Sequence, residues 1–177
     1  MDTQSLDRLR TAIRDVPDFP QPGIIFKDIT PVLADPALLE LAILGMVGAI
    51  DGRKVDKVVG IDARGFIFGS LVAQKLGAGF IPARKKGKLP YKTRGLDYAL
   101  EYGTASLEMH EDAISPGERV LLADDLLATG GTAGAALKLI EQAQGELIGS
   151  VFFIELGFLG GREKLAGCGD VHSLIKF

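Results

Sequence analysis

A chain of 177 residues, with 20 Lys and Arg against 23 Asp and Glu and 47% hydrophobic residues, has the size of one ordinary domain. Such a domain buries roughly 70% of the surface its unfolded chain exposes. One cysteine (Cys168) and two histidines (His110 and His172) exclude a disulfide framework, a multi-cysteine zinc site and a His-rich metal cage, and a net charge of −3 argues against a general nucleic-acid binder.

Residues 3–14 read as a short helix with Leu6, Leu9 and Ile13 on one face, and they carry no apolar core of a signal peptide. The run Pro17-Asp18-Phe19-Pro20-Gln21-Pro22-Gly23 is expected to be an irregular, rigid loop that presents Ile24 to Asp28. Asp35 then reads as an N-cap and Pro36 as the first residue of a helix whose apolar stripe runs through Leu39, Ile43, Met46, Val47 and Ile50. The longest apolar stretch, Leu41 to Ile50, is about half of the ~20 residues that cross a bilayer, so a soluble, cytoplasmic protein with no membrane partner is expected.

Beyond this helix, short apolar runs alternate with helical patterns. Strands are expected at Val55–Ile61, Gly79–Ala83, Arg119–Ala123, Ile148–Leu156 and Asp170–Phe177, with helices at Phe66–Leu76 and Thr132–Gln144. Strands joined by helices imply crossover connections, and so an α/β fold with a doubly wound, mostly parallel sheet flanked by helices. Residues 84–117 break the rhythm. They hold six basic residues from Arg84 to Arg94, then Leu96, Tyr98, Leu100 and Tyr102 in alternation, and read as a flap or small antiparallel ribbon inserted in a single domain over 1–177.

Ligands of open α/β sheets bind beyond the carboxyl ends of the strands. After the strand at 119–123 come Asp124 and Asp125, expected at its end, and then Ala128-Thr129-Gly130-Gly131-Thr132 opening a helix. Glycines let successive N–H groups converge on an anion, threonines add hydroxyl donors, and the helix start is partially positive; this describes a phosphate cradle. Carboxylates repel phosphate but suit ribose hydroxyls, or a divalent metal held with the ligand's own oxygens, so the pair beside the cradle points to a phosphorylated sugar. Taken alone, an acidic residue there could cap the turn and Thr132 could cap the helix. Asp62-Ala63-Arg64-Gly65 is a second strand-to-helix turn, with one guanidinium suited to a second anion. The cluster Arg84, Lys85, Lys86, Lys88, Lys92 and Arg94 admits three readings: a solvated face, a nucleic-acid patch, or attraction of a highly charged small ligand. Only Tyr91 accompanies it as a stacking group, which disfavours RNA. Phe26 is either core or, held by the proline loop, a platform for a flat base.

Asp124-Asp125 with Ala128 to Thr132 resembles the phosphoribosyl-pyrophosphate (PRPP) motif of type I phosphoribosyltransferases. Asp18 to Leu33 is similar to the N-terminal signature of the adenine-specific branch, and Ile61 to Phe66, Arg84 to Pro90 and Leu100 to Gly103 resemble three further segments of it, in the same order. The resemblance implies transfer of 5-phosphoribosyl from PRPP to adenine, giving AMP and pyrophosphate, with Mg²⁺ bound mainly through PRPP, in a homodimer. It implies that Asp124, Asp125, Ala128, Thr129, Gly130, Gly131 and Thr132 hold the ribose and 5′-phosphate. Pyrophosphate falls to Asp62, Ala63, Arg64, Arg84 and Lys88, and adenine to Ile25, Phe26 and Lys27 in an N-terminal hood of residues 1–35. Glu101 in the flap, with Arg64, is implied to be catalytic, Glu101 exchanging a proton with the purine imidazole edge. Two alternatives stay open: another purine base as acceptor, and a non-catalytic PRPP sensor that binds RNA or DNA.

Overall fold

Asp2 accepts a hydrogen bond from Ser5 N (2.7 Å) and starts helix α1, Thr3–Ala12, which buries Leu9. The helix stops two residues short of the expected end because Ile13 is already extended and Arg14 enters strand β1, Arg14–Pro17. This strand pairs antiparallel with β2, Ile25–Asp28, from Arg14↔Asp28 to Pro17↔Ile25. Residues 25–28, which the loop presents, are therefore a strand, and Pro17, expected within the loop, instead closes β1 where its missing N–H costs least. Only residues 18–24 remain irregular, with the Asp18 carboxylate accepting from Gly23 N (2.8 Å). A short helix α2, Thr30–Ala34, precedes α3, Pro36–Gly48, whose N-cap Asp35 accepts from Ala37 N (2.8 Å) and Leu38 N (3.2 Å), as the sequence implies.

The remaining elements are β3 (Lys57–Ile61), α4 (Gly65–Leu76), β4 (Gly79–Lys85), β5 (Thr93–Ala99), β6 (Thr104–His110), β7 (Arg119–Leu127), α5 (Gly131–Gln142), β8 (Glu146–Glu155), α6 (Gly161–Lys164) and β9 (Asp170–Lys176). This computed structural model describes residues 1–99 and 104–177. The expected catalytic Glu101, with Leu100, Tyr102 and Gly103, lies outside the described residues.

The main sheet has the order β5-β6-β4-β3-β7-β8-β9. Strands β4, β3, β7, β8 and β9 are mutually parallel, while β5 and β6 form an antiparallel ribbon that joins through Arg84↔Glu108 and Lys85↔Leu107. Both faces are covered. Val58, Leu121, Val151 and Phe153 pack under α3 and α4, with Phe68 stacked on Phe153 at 5.2 Å, whereas Val59, Leu122 and Phe152 pack under α5. Adjacent residues facing opposite cores explain the continuous apolar runs of the sequence. Each fully buried side chain of this size contributes about 1.5–3 kcal/mol. After β3 the chain builds β4 on one side, then returns to place β7 on the other. The loops that follow β3 and β7 therefore diverge and leave a crevice between them, the switch point where such sheets bind ligands.

Candidate active site

The crevice at the ends of β3 and β7 is a cleft of about 240 Å³. Asp62, Ala63 and Arg64 line one wall, and Asp124 through Ala133 line the other. Two separate turns of the sequence thus meet in one space, although β7 runs further than expected. Asp124 pairs with Phe152 and Leu127 with Glu155, so the two aspartates lie inside a paired strand, not at its end. Pairing of Leu126 and Leu127 with β8 carries the strand past the charges.

Both carboxylates are nearly buried, Asp124 at 8% and Asp125 at 7% exposure. Burial, reinforced by the neighbouring Asp125 charge, pushes the Asp124 carboxyl well above the usual range, because removing water penalises the ionised form. Its Oδ1 accepts from Asp125 N (2.9 Å) and presses so closely on Gly65 that a Cβ there would collide with it. Glycine at the start of α4 is therefore required by the approach of the carboxylate. Asp125 accepts from Arg64 Nε, and this ion pair bridges the two walls of the cleft.

The turn after β7 has the geometry of an anion cradle. Gly130 caps α5 with φ +78°, a left-handed conformation that favours glycine, and among the described residues no side chain caps the helix start. Thr132 is not the cap: its Oγ1 donates to Tyr98 Oη (3.2 Å), tying the phosphate-type loop to β5. The unsatisfied N–H groups at the start of α5 lie where Gly130 to Ala133 line the cleft.

At the rim, Arg84 Nε donates to Asp62 Oδ2 (3.0 Å) and Arg84 Nη1 to the Lys88 carbonyl (3.0 Å). Lys88 itself is exposed, and its side chain does not line the cleft. Lys85 and Lys86 are exposed as well. Ile25, Phe26 and Lys27 also lie outside the lining residues, but Phe26 approaches it: the Arg64 guanidinium carbon is 5.9 Å from its ring centroid. Phe19 braces the same ring edge-on at 5.2 Å. The Lys27 ammonium is bound to Asp15 (2.6 Å) and sits 4.1 Å from the Phe177 ring centroid, so its charge is already engaged. The contacts of Phe19, Tyr98 and Phe177 escaped the sequence reading, because each reaches its partner through tertiary packing that no local spacing announces.

The sequence model of the phosphoribosyl transferase domain family matches residues 39–166. An adenine phosphoribosyltransferase of Nitrosococcus oceani is 55% identical over 172 residues, spanning 97% of this chain and 100% of its own. That of Acidothermus cellulolyticus is 60% identical over 164 residues, with 93% of this chain and 92% of its own covered. The crystal structure of adenine phosphoribosyltransferase from Rhodothermus marinus superposes with a TM-score of 0.95 at 53% identity, over 99% of this chain and 100% of that one. The Saccharomyces cerevisiae enzyme, complexed with an imino-altritol bisphosphate and adenine, gives a TM-score of 0.92 at 38% identity, over 98% and 99% of the two chains. With a family match over most of its length and relatives more than half identical from end to end, the chain belongs to the phosphoribosyltransferase family, among the adenine phosphoribosyltransferases.

Proposed function

We propose that the chain transfers the 5-phosphoribosyl group of PRPP to adenine, forming AMP and pyrophosphate in purine salvage. The observation that carries this reading is the single cleft in which a helix start rich in free N–H groups, two buried carboxylates and one guanidinium converge. In the reaction a purine nitrogen bonds to C1′ as the C1′–O bond breaks, and the electron pair leaves on pyrophosphate. Positive charge builds on the ribose and negative charge on the leaving group.

The roles divide by charge. Ala128 to Thr132 hold the 5′-phosphate through main-chain N–H groups and hydroxyls. Asp124 and Asp125 accept from the ribose hydroxyls and oppose the developing cation. A carboxylate ~5 Å from that cation contributes about 3 kcal/mol at an effective dielectric near 20, roughly a hundredfold in rate. Asp62, Ala63 and Arg64, with Arg84 and Lys88 at the rim, hold pyrophosphate. Phe26 stacks on adenine while the main chain of Ile25 and Lys27 meets its edges, and Glu101 exchanges the imidazole proton.

Mg²⁺ is the cofactor of this reading. Among the described residues no three His, Cys, Asp or Glu side chains gather as a protein-made metal site. The hard oxygens of Asp124 and Asp125 suit a cation held chiefly by PRPP itself, with Asp125 already engaged by Arg64. Such an ion would supply positive charge against the pyrophosphate oxygens. The same reading takes residues 1–177 as one domain acting in the cytoplasm as a homodimer, with PRPP, adenine, AMP and pyrophosphate as its ligands and no nucleic acid or membrane partner. No helix among the described residues is long and apolar enough to cross a membrane.

The test is incubation with PRPP, Mg²⁺ and each purine base, following nucleotide formation, with light scattering for the dimer. AMP from adenine alone is expected. Product from another base would move the specificity, and no product from any base would favour a PRPP sensor.

A further inference from the structure

Glu155 ends β8 as a carboxylate only 3% exposed, and none of the chemistry above uses it. Arg162 grips it with two nitrogens, Nε at 3.1 Å from Oε1 and Nη2 at 2.5 Å from Oε2. The same guanidinium donates from Nη1 to the Val171 carbonyl (2.5 Å) and from Nη2 to Ser173 Oγ (3.3 Å), both in β9. Arg162 therefore fixes α6, which carries it, to the end of β8 and to the first half of β9. The Arg162 hydrogen bonds also hold the Glu155 carboxyl below its usual range, so the pair stays ionised despite burial.

The residue before Arg162 touches the phosphate-type loop directly. A Cβ on Gly161 would collide with the Ala128 carbonyl oxygen and lie 2.9 Å from Gly130 N. Conversely, a Cβ on Gly130 would lie 2.5 Å from the Gly161 carbonyl oxygen and 3.1 Å from its Cα. Two backbones are thus in contact with no side chain between them, one in the loop that lines the cleft and the other anchored by Arg162. Leu156 N donates to the Leu127 carbonyl (2.9 Å), which joins the same two segments just before the loop begins.

We propose that Arg162, held by Glu155, is a positioning residue for the 5′-phosphate: it seats Gly161 as the floor against which Ala128 to Gly130 are shaped. The inference rests on the reading of that loop as the phosphate cradle. Interior backbones in contact are stiff, so a shift of the floor is transmitted to the N–H groups above it. A ligand that carries a 5′-phosphate senses that shift, whereas adenine, bound at the hood, does not.

The experiment compares Gly161→Ala, Arg162→Met and Arg162→Lys with the wild-type protein. Binding of ribose 5-phosphate and AMP is measured by calorimetry, KM for PRPP and for adenine by initial rates, and folding by circular dichroism. Gly161→Ala and Arg162→Met are expected to weaken ribose 5-phosphate, AMP and PRPP by about tenfold or more, the loss that accompanies one misplaced charge-assisted hydrogen bond. KM for adenine stays within about twofold, and Arg162→Lys, which keeps the charge but not the fork, falls between. Gly161→Ala tests the floor itself, because its Cβ meets the Ala128 and Gly130 backbone, whereas Arg162→Lys tests Arg162 where Arg162→Met loses its fold. Wild-type affinity for ribose 5-phosphate in folded Gly161→Ala or in a folded Arg162 variant, or equal losses for PRPP and adenine, overturns the proposal. A wild-type protein that binds neither ribose 5-phosphate nor AMP overturns the cradle reading and this inference with it, an outcome distinct from variants that merely match a binding-competent wild type.

Discussion

Arg64 donates its Nε proton to Asp125 across 61 residues of sequence, joining the turn after β3 to the strand that builds the opposite wall of the cleft. The Asp125 side chain is 10% exposed, whereas that of Arg64 is 48% exposed, so one end of the guanidinium is fixed and the rest lies at the cleft it lines. A planar fork can hold a carboxylate and an anion at once; a single ammonium cannot do so with the same geometry. Arg64→Lys is therefore expected to lower kcat/KM for PRPP roughly tenfold to a hundredfold, with KM for adenine little changed. Initial rates at varied PRPP check this, and wild-type values would remove Arg64 from pyrophosphate handling.

Asp124 sets function against stability. Its carboxyl is raised by burial and by Asp125, so between the unfolded value near 3.8 and its folded value the native chain binds the extra proton. Stability contributed by that proton is full below the unfolded value and falls as pH rises through the folded one. Asp124→Asn keeps an oxygen for Asp125 N and has nothing to titrate. Its thermal midpoint is expected to exceed the wild type's by on the order of a few °C at neutral pH, with the gap closing towards pH 4. Turnover is expected to drop roughly a hundredfold at the same time. Parallel melting curves from pH 4 to 8 would show that burial exerts no such cost.

Asp56 has the opposite sign. It accepts from Arg119 Nε, Nη2 and main-chain N, each at 2.9 Å, and these bonds hold its carboxyl at about 2, below the ordinary 3.8. Here the unfolded chain takes the proton first, so the stabilisation is present above about pH 4 and disappears as pH falls towards 2. Acid unfolding followed by circular dichroism is expected to show Asp56→Asn below the wild type at pH 7 and converging with it by pH 2. A constant difference across that window would mean that Asp56 acts through packing alone.

Much of this arrangement is legible in the chain, and the exceptions have physical causes. Val58-Val59 and Leu121-Leu122 announce a sheet covered on both faces, since neighbours that face opposite cores must both be apolar. Asp35-Pro36 announces a helix because its cap is local. The β1–β2 ribbon gives no such signal: its strands are four residues long, contain no fully buried residue and are edged by Pro17. The charges of Asp124 and Asp125 likewise mimic a strand end, although pairing of Leu126 with Ile154 continues beyond them. In the site, Arg64, Asp124, Asp125 and the Thr129–Thr132 loop are readable as motifs. Tyr98 against Thr132, Phe19 against Phe26 and Gly161 against Gly130 are not, since each contact exists only once distant segments pack.

Glu101, whose role rests on the family resemblance, separates binding from chemistry. Glu101→Ala is expected to lower kcat for AMP formation by about a hundredfold or more, the usual contribution of a proton-transfer group, while PRPP binding persists. Single-turnover measurements with pre-bound PRPP check this. Unchanged turnover would take Glu101 out of the reaction.

Phe26 links the hood to the cleft. Its ring is braced by Phe19 in an edge-on pair at 5.2 Å and lies 5.9 Å from the Arg64 guanidinium carbon, two contacts that restrict its orientation. Stacking on an aromatic ring contributes about 1–3 kcal/mol per base by alanine substitution, so Phe26→Ala is expected to raise KM for adenine roughly tenfold to a hundredfold. Phe26→Tyr retains the face and should restore most of the affinity. In the proposed function PRPP is assigned to main-chain N–H groups and charges elsewhere, so its KM should move little in either variant. Initial rates with each substrate varied in turn check the split. Equal rises in both constants would mean that the ring supports Arg64 and the fold, and that adenine is recognised by other groups.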